Sequence, residues 1–264
     1  MRCITYSSDI PSNQEIPAWF QSQIKSDLSA YTLFKSEYKR NETIDYEEIC
    51  YYLMQTLLNF PEQSIHLFFS NYFMRDGNII ILEINNQLLF LPDNGMVSHF
   101  ENLQLPYQVY LVNADKITLK APIKELYKRY EMIIKTLENQ KLSQIGLPYE
   151  NFKRFIPFSN DFFPSQDQIL FRTIFTTSSG HVITNFSKAN FDFYVKNRSF
   201  FITIVDPKFR IEQISSYIDE IYSKNELCAF FNEMGFLEIF MVDENMVKIL
   251  SIQKNTKVRL EFND

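Results

Sequence analysis

The chain has 264 residues, 45% of them hydrophobic, which is enough for one large domain or two smaller ones. Its net charge of −6, with lysine and arginine scattered, argues against a surface that binds nucleic acid or an anionic membrane. No apolar run approaches the roughly 20 residues that span a bilayer, and no apolar leader follows Met1, so we expect a cytoplasmic protein with no membrane partner.

Cysteine and histidine are few and widely separated in this sequence. An odd, dispersed set of cysteines at Cys3, Cys50 and Cys228 predicts free thiols in a reducing compartment. Cys50 falls in an apolar helix pattern, so we expect it to be buried. Because no pair of cysteines or histidines has metal-ligand spacing, we predict neither a metal site nor a bound cofactor.

The first 155 residues alternate between strand and helix patterns. Residues 3–8 predict a short strand. The Asp45 carboxylate, placed to accept the Glu48 amide proton, predicts the start of a helix that ends before Pro61. Apolar residues at helical intervals predict an amphipathic helix from Ile123 to Leu137. Strand patterns between these helices cover residues 65–69, 78–84, 88–91 and 107–112, and the middle two predict a hairpin around Asn85 and Asn86.

The pattern changes near residue 155. Residues 155–164 are rich in Phe, Pro, Ser and Asn, which predicts a linker. We therefore predict an α/β domain with a central, mostly parallel sheet over residues 1–155, and a small all-β, barrel-like domain over residues 165–264. The strand patterns of the second domain lie around residues 168–176, 181–186, 199–205, 226–232, 236–242 and 257–262.

Short motifs along most of the chain occur in a recognisable order. They comprise Asp9 after the first strand and residues 60–67, 91–98, 146–148, 180–185, 231–239 and 252–260. Together they resemble the S-adenosylmethionine hydroxide adenosyltransferase family, which also contains the S-adenosylmethionine-dependent fluorinase and chlorinase. The chain has only five glycines, and four of them, Gly95, Gly146, Gly180 and Gly235, fall where that family has glycine.

The resemblance implies a specific assembly and reaction. Members are homotrimers with an N-terminal α/β domain and a C-terminal β-barrel domain, and they bind S-adenosylmethionine between domains of neighbouring subunits. Water displaces methionine at the 5′ carbon of the ribose and releases adenosine. Since the sulfonium leaving group departs neutral, the protein chiefly has to align the nucleophile and exclude other water.

The candidates for ligand binding in the N-terminal domain are four residues. The resemblance implies that Asp9 accepts hydrogen bonds from both ribose hydroxyls, whereas the sequence alone favours a cap of the following loop. Asp93 and Asn94 lie in a turn that the family places at the edge of the site, and a plain turn is the alternative. Trp19, the single tryptophan, either lines an aromatic pocket or packs in a core or an interface.

The C-terminal candidates are Thr184, Asn185, Phe236 and Glu238. The resemblance implies that this region holds adenine through backbone and amide groups. For Phe236, packing in the core is the stronger alternative.

Several family positions carry a different residue here. Asn71 occupies the catalytic position where the family has Asp, and residues 113–117 lack the family's His. An Asn cannot act as a base, so water would be activated by positioning alone. Thr177 replaces an Asp that contacts the methionine amine, and His181 replaces an Asn and is more typical of an ordinary β-domain residue.

Two hypotheses follow from these matches and departures. The chain is either a divergent S-adenosylmethionine hydrolase or a non-catalytic relative that keeps a trimeric fold and a nucleoside pocket. The candidates Asp9, Asp93, Asn94, Thr184 and Asn185 favour an intact ligand site, whereas the replaced catalytic positions favour loss of turnover. Nothing in the sequence suggests a dedicated halide pocket.

Overall fold

The structure is a computed structural model. It describes residues 2–8, 22, 31–35, 45–70, 79–112, 123–215 and 226–263. The chain divides into two compact units, Met1–Phe155 (unit 1) and Ile156–Asp264 (unit 2), and each has its own core.

Unit 1 is built on one sheet with the strand order β2-β1-β3-β5-β4-β6-β7. Its strands are β1 (Arg2–Ser8), β2 (Tyr31–Lys35), β3 (Ile65–Phe69), β4 (Ile79–Ile84), β5 (Gln87–Pro92), β6 (Tyr107–Val112) and β7 (Gly146–Pro148). The pairs β2-β1, β1-β3 and β3-β5 are parallel. The pairs β5-β4, β4-β6 and β6-β7 are antiparallel.

The predicted fold class is therefore wrong. The sequence predicts a central, mostly parallel sheet for the first domain, but half of the neighbouring pairs are antiparallel, and the described chain is dominated by two large sheets of seven and eight strands. The cause is the hairpin between β4 and β5. Asn85 and Asn86 both adopt a positive φ, of 50° and 55°, in a two-residue turn that fixes antiparallel pairing. Because β5 also pairs with β3, this hairpin lies inside the sheet.

Helices of unit 1 begin and end where local chemistry dictates. Among the described residues they are α1 (Tyr46–Asn59), α2 (Val97–Phe100), α3 (Ile123–Leu137) and α4 (Leu142–Ile145), with a short 3-10 turn at Glu101–Leu103. The predicted cap of α1 is confirmed, since Asp45 Oδ1 accepts the amide protons of Glu47 and Glu48 at N···O distances of 3.1 and 3.3 Å.

The core of unit 1 lies between α3 and the sheet. Five apolar residues of α3 are buried and Leu137 is partly buried, and Tyr130 also donates its hydroxyl to the Phe68 carbonyl at 3.0 Å. Each such fully buried apolar side chain contributes about 1.5–3 kcal/mol to stability. The core residues from α3 are Leu126, Tyr127, Tyr130, Ile133 and Ile134.

A series of hydrogen bonds between buried polar side chains crosses β1, β3 and β5, the three parallel strands that are neighbours in the sheet. Gln87 Nε2 donates to the Leu57 carbonyl of α1 at 2.8 Å, so Gln87 Oε1 accepts from His66 Nε2 at 2.7 Å. His66 Nδ1 then accepts the Thr5 hydroxyl at 2.8 Å. Burial lowers the pKa of His66 to about 4, and the ring is neutral at neutral pH.

Unit 2 is built on eight strands that pair antiparallel throughout, in the order β12-β11-β15-β9-β10-β14-β13, with β8 against β9. Its described helices are α5 (Lys188–Tyr194) and α6 (Met246–Ile249), with a 3-10 turn at Phe158–Asn160. The strands are β8 (Phe163–Pro164), β9 (Gln168–Thr176), β10 (Val182–Ser187), β11 (Phe200–Ile204), β12 (Asp206–Ile211), β13 (Leu227–Phe231), β14 (Phe236–Met241) and β15 (Lys257–Phe262). All six strand patterns that the sequence analysis placed in this half correspond to observed strands, whereas β8 and β12 were not foreseen.

Two further expectations concern the cysteines and the membrane. All three cysteines are free and buried, as the sequence predicts for Cys50. In the described ranges the longest helix, α3, has 15 residues, and none of the helices there combines the length and apolar character needed to cross a bilayer.

Candidate functional site

The carboxyl ends of three parallel strands meet at one edge of the sheet in unit 1, here called the carboxyl edge. Ser8 of β1 is aligned with Phe69 of β3, and Leu67 of β3 is aligned with Phe90 of β5. In the sheet, β2 lies on one side of β1, and β3, which follows β2 in the sequence, lies on the other side of β1. In open sheets with crossover connections, ligands bind outside the carboxyl ends of strands where the order reverses in this way. The topology therefore selects the carboxyl edge as the candidate site.

Three of the predicted site residues, Asp9, Trp19 and Asn71, lie outside the described residues. Asp9 directly follows Ser8 in the sequence, and Asn71 directly follows the buried Ser70. Their roles in ribose binding, pocket lining and water positioning stay predictions.

The turn after β5 carries the predicted residue Asp93. Asp93 is 5% exposed, and both of its carboxylate oxygens are used within unit 1. Oδ1 accepts the Lys153 amide proton at 2.7 Å, and Oδ2 accepts the Tyr149 hydroxyl at 3.1 Å. Burial first, and the Asp93 charge second, raise the pKa of Tyr149, which keeps its hydroxyl a donor. Asp93 thus holds a neighbouring segment in place.

Asn94, the next residue, differs from Asp93. It is 4% exposed, and its Oδ1 accepts the Met96 amide proton at 3.2 Å. Its Nδ2 is buried and has no hydrogen-bond partner among the residues that the structure describes, and the same is true of the Ser7 hydroxyl near the end of β1. A buried polar group without a partner costs about 1–3 kcal/mol and is rare in folded proteins. The carboxyl edge therefore holds two buried polar groups, the Ser7 hydroxyl and Asn94 Nδ2, that form no hydrogen bond with the described residues. Of the two, Asn94 Nδ2 can only donate.

Gly95 completes the turn with a positive φ of +95°. A Cβ added at this position would overlap the ring of Phe155. Glycine is required here both for the backbone conformation and for the close approach of that ring.

The predicted residues on β10 have a different environment, in unit 2. Thr184 donates its hydroxyl to the Leu237 carbonyl at 3.0 Å. Asn185 is fully buried, and its Oδ1 accepts the Arg172 amide proton at 2.8 Å. Its Nδ2 donates to the carbonyls of Phe158, at 2.9 Å, and Asp161. Both of its amide protons are used inside unit 2.

The predicted residues on β14 are also engaged. Phe236 is 1% exposed, and its ring centroid lies 5.2 Å from that of Phe158, which is the packing role that the sequence left open. Glu238 Oε1 lies 2.7 Å from His181 Nδ1, and Glu238 Oε2 accepts from Asn232 Nδ2 at 3.2 Å. The structure thus brings the four C-terminal candidates onto two paired strands.

The surroundings of His181 were not predicted from the sequence. Its ring stacks on Phe240 with 5.1 Å between centroids, and Glu238 orients it through Nδ1. Its Nε2 makes no hydrogen bond with the residues that the structure describes. The signal lay in the pairing of β10 with β14, which aligns Ile183 with Glu238, but the sequence patterns do not reveal which strands pair.

No three His, Cys, Asp or Glu side chains within the described ranges are grouped so that they would hold a metal ion.

Comparisons with known proteins concern the fold of this chain and give no evidence on its chemistry. No protein-family model matches the chain, and no curated protein matches it either. The chain is similar to an uncharacterized conserved protein from Thermotoga maritima, with a TM-score of 0.69 and 14% identity over 98% of this chain and 99% of that chain. It is also similar to a conserved hypothetical protein from Thermus thermophilus, with a TM-score of 0.66 and 15% identity over 98% and 100% of the two chains. At these identities the likeness concerns the fold alone.

Proposed function

We propose that this protein binds the adenosine part of S-adenosylmethionine at the carboxyl edge of unit 1 and hydrolyses it to adenosine and methionine. The observation that carries the proposal is the buried Asn94 amide, which has no partner in the described chain although it lies at the strand ends where the topology favours a ligand. The motif resemblance supplies the identity of the ligand.

The proposed reaction asks little acid–base chemistry of the protein. A water oxygen attacks the 5′ carbon of the ribose, and the electron pair of the breaking C–S bond returns to sulfur. The sulfonium becomes the neutral thioether of methionine, and the attacking water loses one proton to solvent. Because the leaving group needs no proton, an active site without a histidine base at the matched positions is compatible with turnover.

Each proposed contact has a chemical reason. The Asp9 carboxylate accepts hydrogen bonds from the two ribose hydroxyls and offsets part of the sulfonium charge. The Asn94 amide donates to an acceptor atom of the ligand, which removes the cost of its burial without a partner. Asn71 orients the attacking water as a hydrogen-bonding group, since an amide cannot deprotonate it.

We also propose, from the resemblance, that the protein is a homotrimer of the cytoplasm. The three free, buried cysteines are compatible with a reducing compartment. Light scattering on the purified chain measures the oligomeric state, and a monomer would contradict the trimer.

The test of the proposal is release of adenosine from S-adenosylmethionine, followed by chromatography. We expect Asp9→Asn to reduce the rate sharply and Asn94→Ala to reduce kcat/KM about tenfold, which is the loss of one hydrogen bond to a ligand. The matched control is Glu150→Gln, an exposed residue of unit 1. Absence of adenosine above the spontaneous background, with an active hydrolase run in parallel, would overturn the proposal.

Binding without turnover is the second candidate function. Asn71 at the family's Asp position favours it, because that replacement removes a catalytic carboxylate. In this case calorimetry should detect adenosine binding that Asp9→Ala abolishes, while no adenosine is released from S-adenosylmethionine.

A further inference from the structure

Residues 149–155, here called the strap, lie against the turn that contains Asn94. The strap has no helix or strand of its own. Its first amide, of Tyr149, donates to the Val109 carbonyl of β6 at 2.8 Å, and the later part of its backbone is held by side chains of other segments. Those contacts converge on the residues around the turn, which makes the strap and the turn one structural feature.

Hydrogen bonds from two buried side chains hold the strap at three points. Asp93 accepts from the Tyr149 hydroxyl and from the Lys153 amide, four residues apart. Ser98 Oγ, in α2, accepts the Phe155 amide proton at 3.1 Å. Both ends of the strap are thus bonded to residues on either side of Asn94.

Phe155 provides the apolar part of the contact. Three of its ring carbons lie within 2.8 Å of where a Cβ of Gly95 would be, so the ring lies directly on the glycine. Phe155 as a whole is nevertheless 58% exposed. One face of the ring is therefore held by Gly95, while much of the ring faces away from the described chain.

The other strap residues have separate partners. Phe152 is buried, and the Arg154 guanidinium lies 4.3 Å from its ring centroid. Arg154 also forms an ion pair with Glu101 at 3.0 Å, in which both side chains are substantially exposed. Such an exposed pair adds little to the stability of the strap. The bonds to Asp93 and Ser98 are the ones that join the strap to the turn and to α2.

From this geometry we infer that the strap covers Asn94, and that breaking its bonds to Asp93 or Ser98 opens the candidate site. Asp93 is then a positioning residue, since its oxygens are used by the strap and not left for a ligand. Because the backbone bond from the Tyr149 amide to the Val109 carbonyl holds only the first residue of the strap to the sheet, residues 150–155 can move away without disturbing the sheet. The inference rests on the proposed function only for the identity of the ligand.

The first experiment measures access to position 94 without any ligand. In an Asn94→Cys variant, the rate of maleimide labelling reports opening, because the three native cysteines are buried. We expect Ser98→Ala or Asp93→Ala, added to this variant, to raise the labelling rate at least tenfold. Glu150→Gln, an exposed substitution within the strap, is the matched control and should leave the rate unchanged. Equal rates in all these variants would overturn the inference.

A second measurement uses the protein with its native Asn94. Hydrogen exchange of the Lys153 and Phe155 amides should accelerate at least tenfold in Ser98→Ala, while amides in α3 keep their protection. Loss of protection in both places would mean that Ser98 maintains the whole of unit 1, and the inference would fail. Asp93→Ala provides the same comparison if Ser98→Ala does not fold.

The two proposals can fail separately. If adenosine slows exchange of the strap amides in the native chain, both proposals are supported. If adenosine has no effect but Ser98→Ala still accelerates exchange, the strap is supported and the nucleoside site is rejected. If Ser98→Ala changes nothing, the strap is rejected whatever adenosine does.

Discussion

Two asparagines of this chain, Asn94 in unit 1 and Asn185 in unit 2, were predicted to bind the same ligand, yet their surroundings are opposite. Both are almost completely buried. Asn185 uses its oxygen and both amide protons in bonds to other parts of unit 2. Asn94 uses only its oxygen, and its amide group has no partner within the described ranges.

This difference separates a structural polar residue from a candidate functional one. A buried amide whose bonds are all made stabilises its unit and has little left to offer a ligand. A buried amide with free protons costs stability until something binds it. The inventory of hydrogen bonds therefore discriminates between residues that the motif resemblance treats alike.

The largest expected effect is that of Asn185→Ala. It removes three buried or half-buried hydrogen bonds, from the Arg172 amide and to the carbonyls of Phe158 and Asp161, so we expect a loss of about 4 kcal/mol in the free energy of unfolding. Asn94→Ala removes one bond and should cost only about 1 kcal/mol. Urea unfolding of both variants measures the difference. Equal losses would remove the distinction between the two residues.

The second largest expected effect is the contribution of His66 in unit 1 to the free energy of unfolding, which is about 3 kcal/mol. The pKa of His66 is lowered from an ordinary 6.5 to about 4, so the unfolded chain takes up a proton first as the pH falls. Its contribution to stability is complete above pH 6.5 and is lost progressively as the pH falls to about 4.

Urea unfolding between about pH 7 and pH 4 tests this contribution. His66→Gln should flatten the pH dependence, whereas His181→Gln, the control from unit 2, should not. The His66 ring resonances provide a second measurement that needs no variant. A midpoint near the ordinary 6.5 in the folded protein would refute the lowered pKa.

Two glycines give the third comparison between the units. Gly95 and Gly235 both have a positive φ, of 95° and 74°, but of the two only Gly95 has a described neighbour where a Cβ would be. We expect Gly95→Ala to cost about 2 kcal/mol and Gly235→Ala about 1 kcal/mol. Thermal unfolding of both variants ranks them, and the reverse order would contradict the close approach of Phe155.

The smallest effect is that of Glu238→Gln. The amide oxygen of Gln can still accept from His181 Nδ1, so the free energy of unfolding should change by less than about 0.5 kcal/mol. The orientation of the imidazole should weaken instead, and NMR of the His181 ring nitrogens should show a larger share of the other tautomer. A large loss of stability would make Glu238 a structural residue like Asn185.

Local features of the fold were predictable from the sequence. The cap at Asp45, the amphipathic helix α3 and the hairpin at Asn85 and Asn86 each depend on residues that are close together in the chain. Six strands of unit 2 were located for the same reason, since alternating apolar residues reveal a strand without its partner.

Pairing between distant segments was not predictable in this way. The hairpin was foreseen, but nothing near Asn85 reveals that β5 would lie beside β3, which made the sheet mixed. The site has the same limit. Asp93 and Asn94 were chosen from one motif, whereas their different roles depend on Tyr149, Lys153 and Phe155, more than fifty residues later.

The buried polar chain from Thr5 through His66 to Gln87 has a consequence for the carboxyl edge. Each of its members sits on a different parallel strand, and each bond forms only at one lengthwise alignment of its two strands. A slip of β1 or β5 by one residue would leave an imidazole or an amide unpaired in an apolar interior. The positions along the sheet at which β1, β3 and β5 end, at Ser8, Phe69 and Pro92, are therefore set by buried groups three to five residues earlier in each strand.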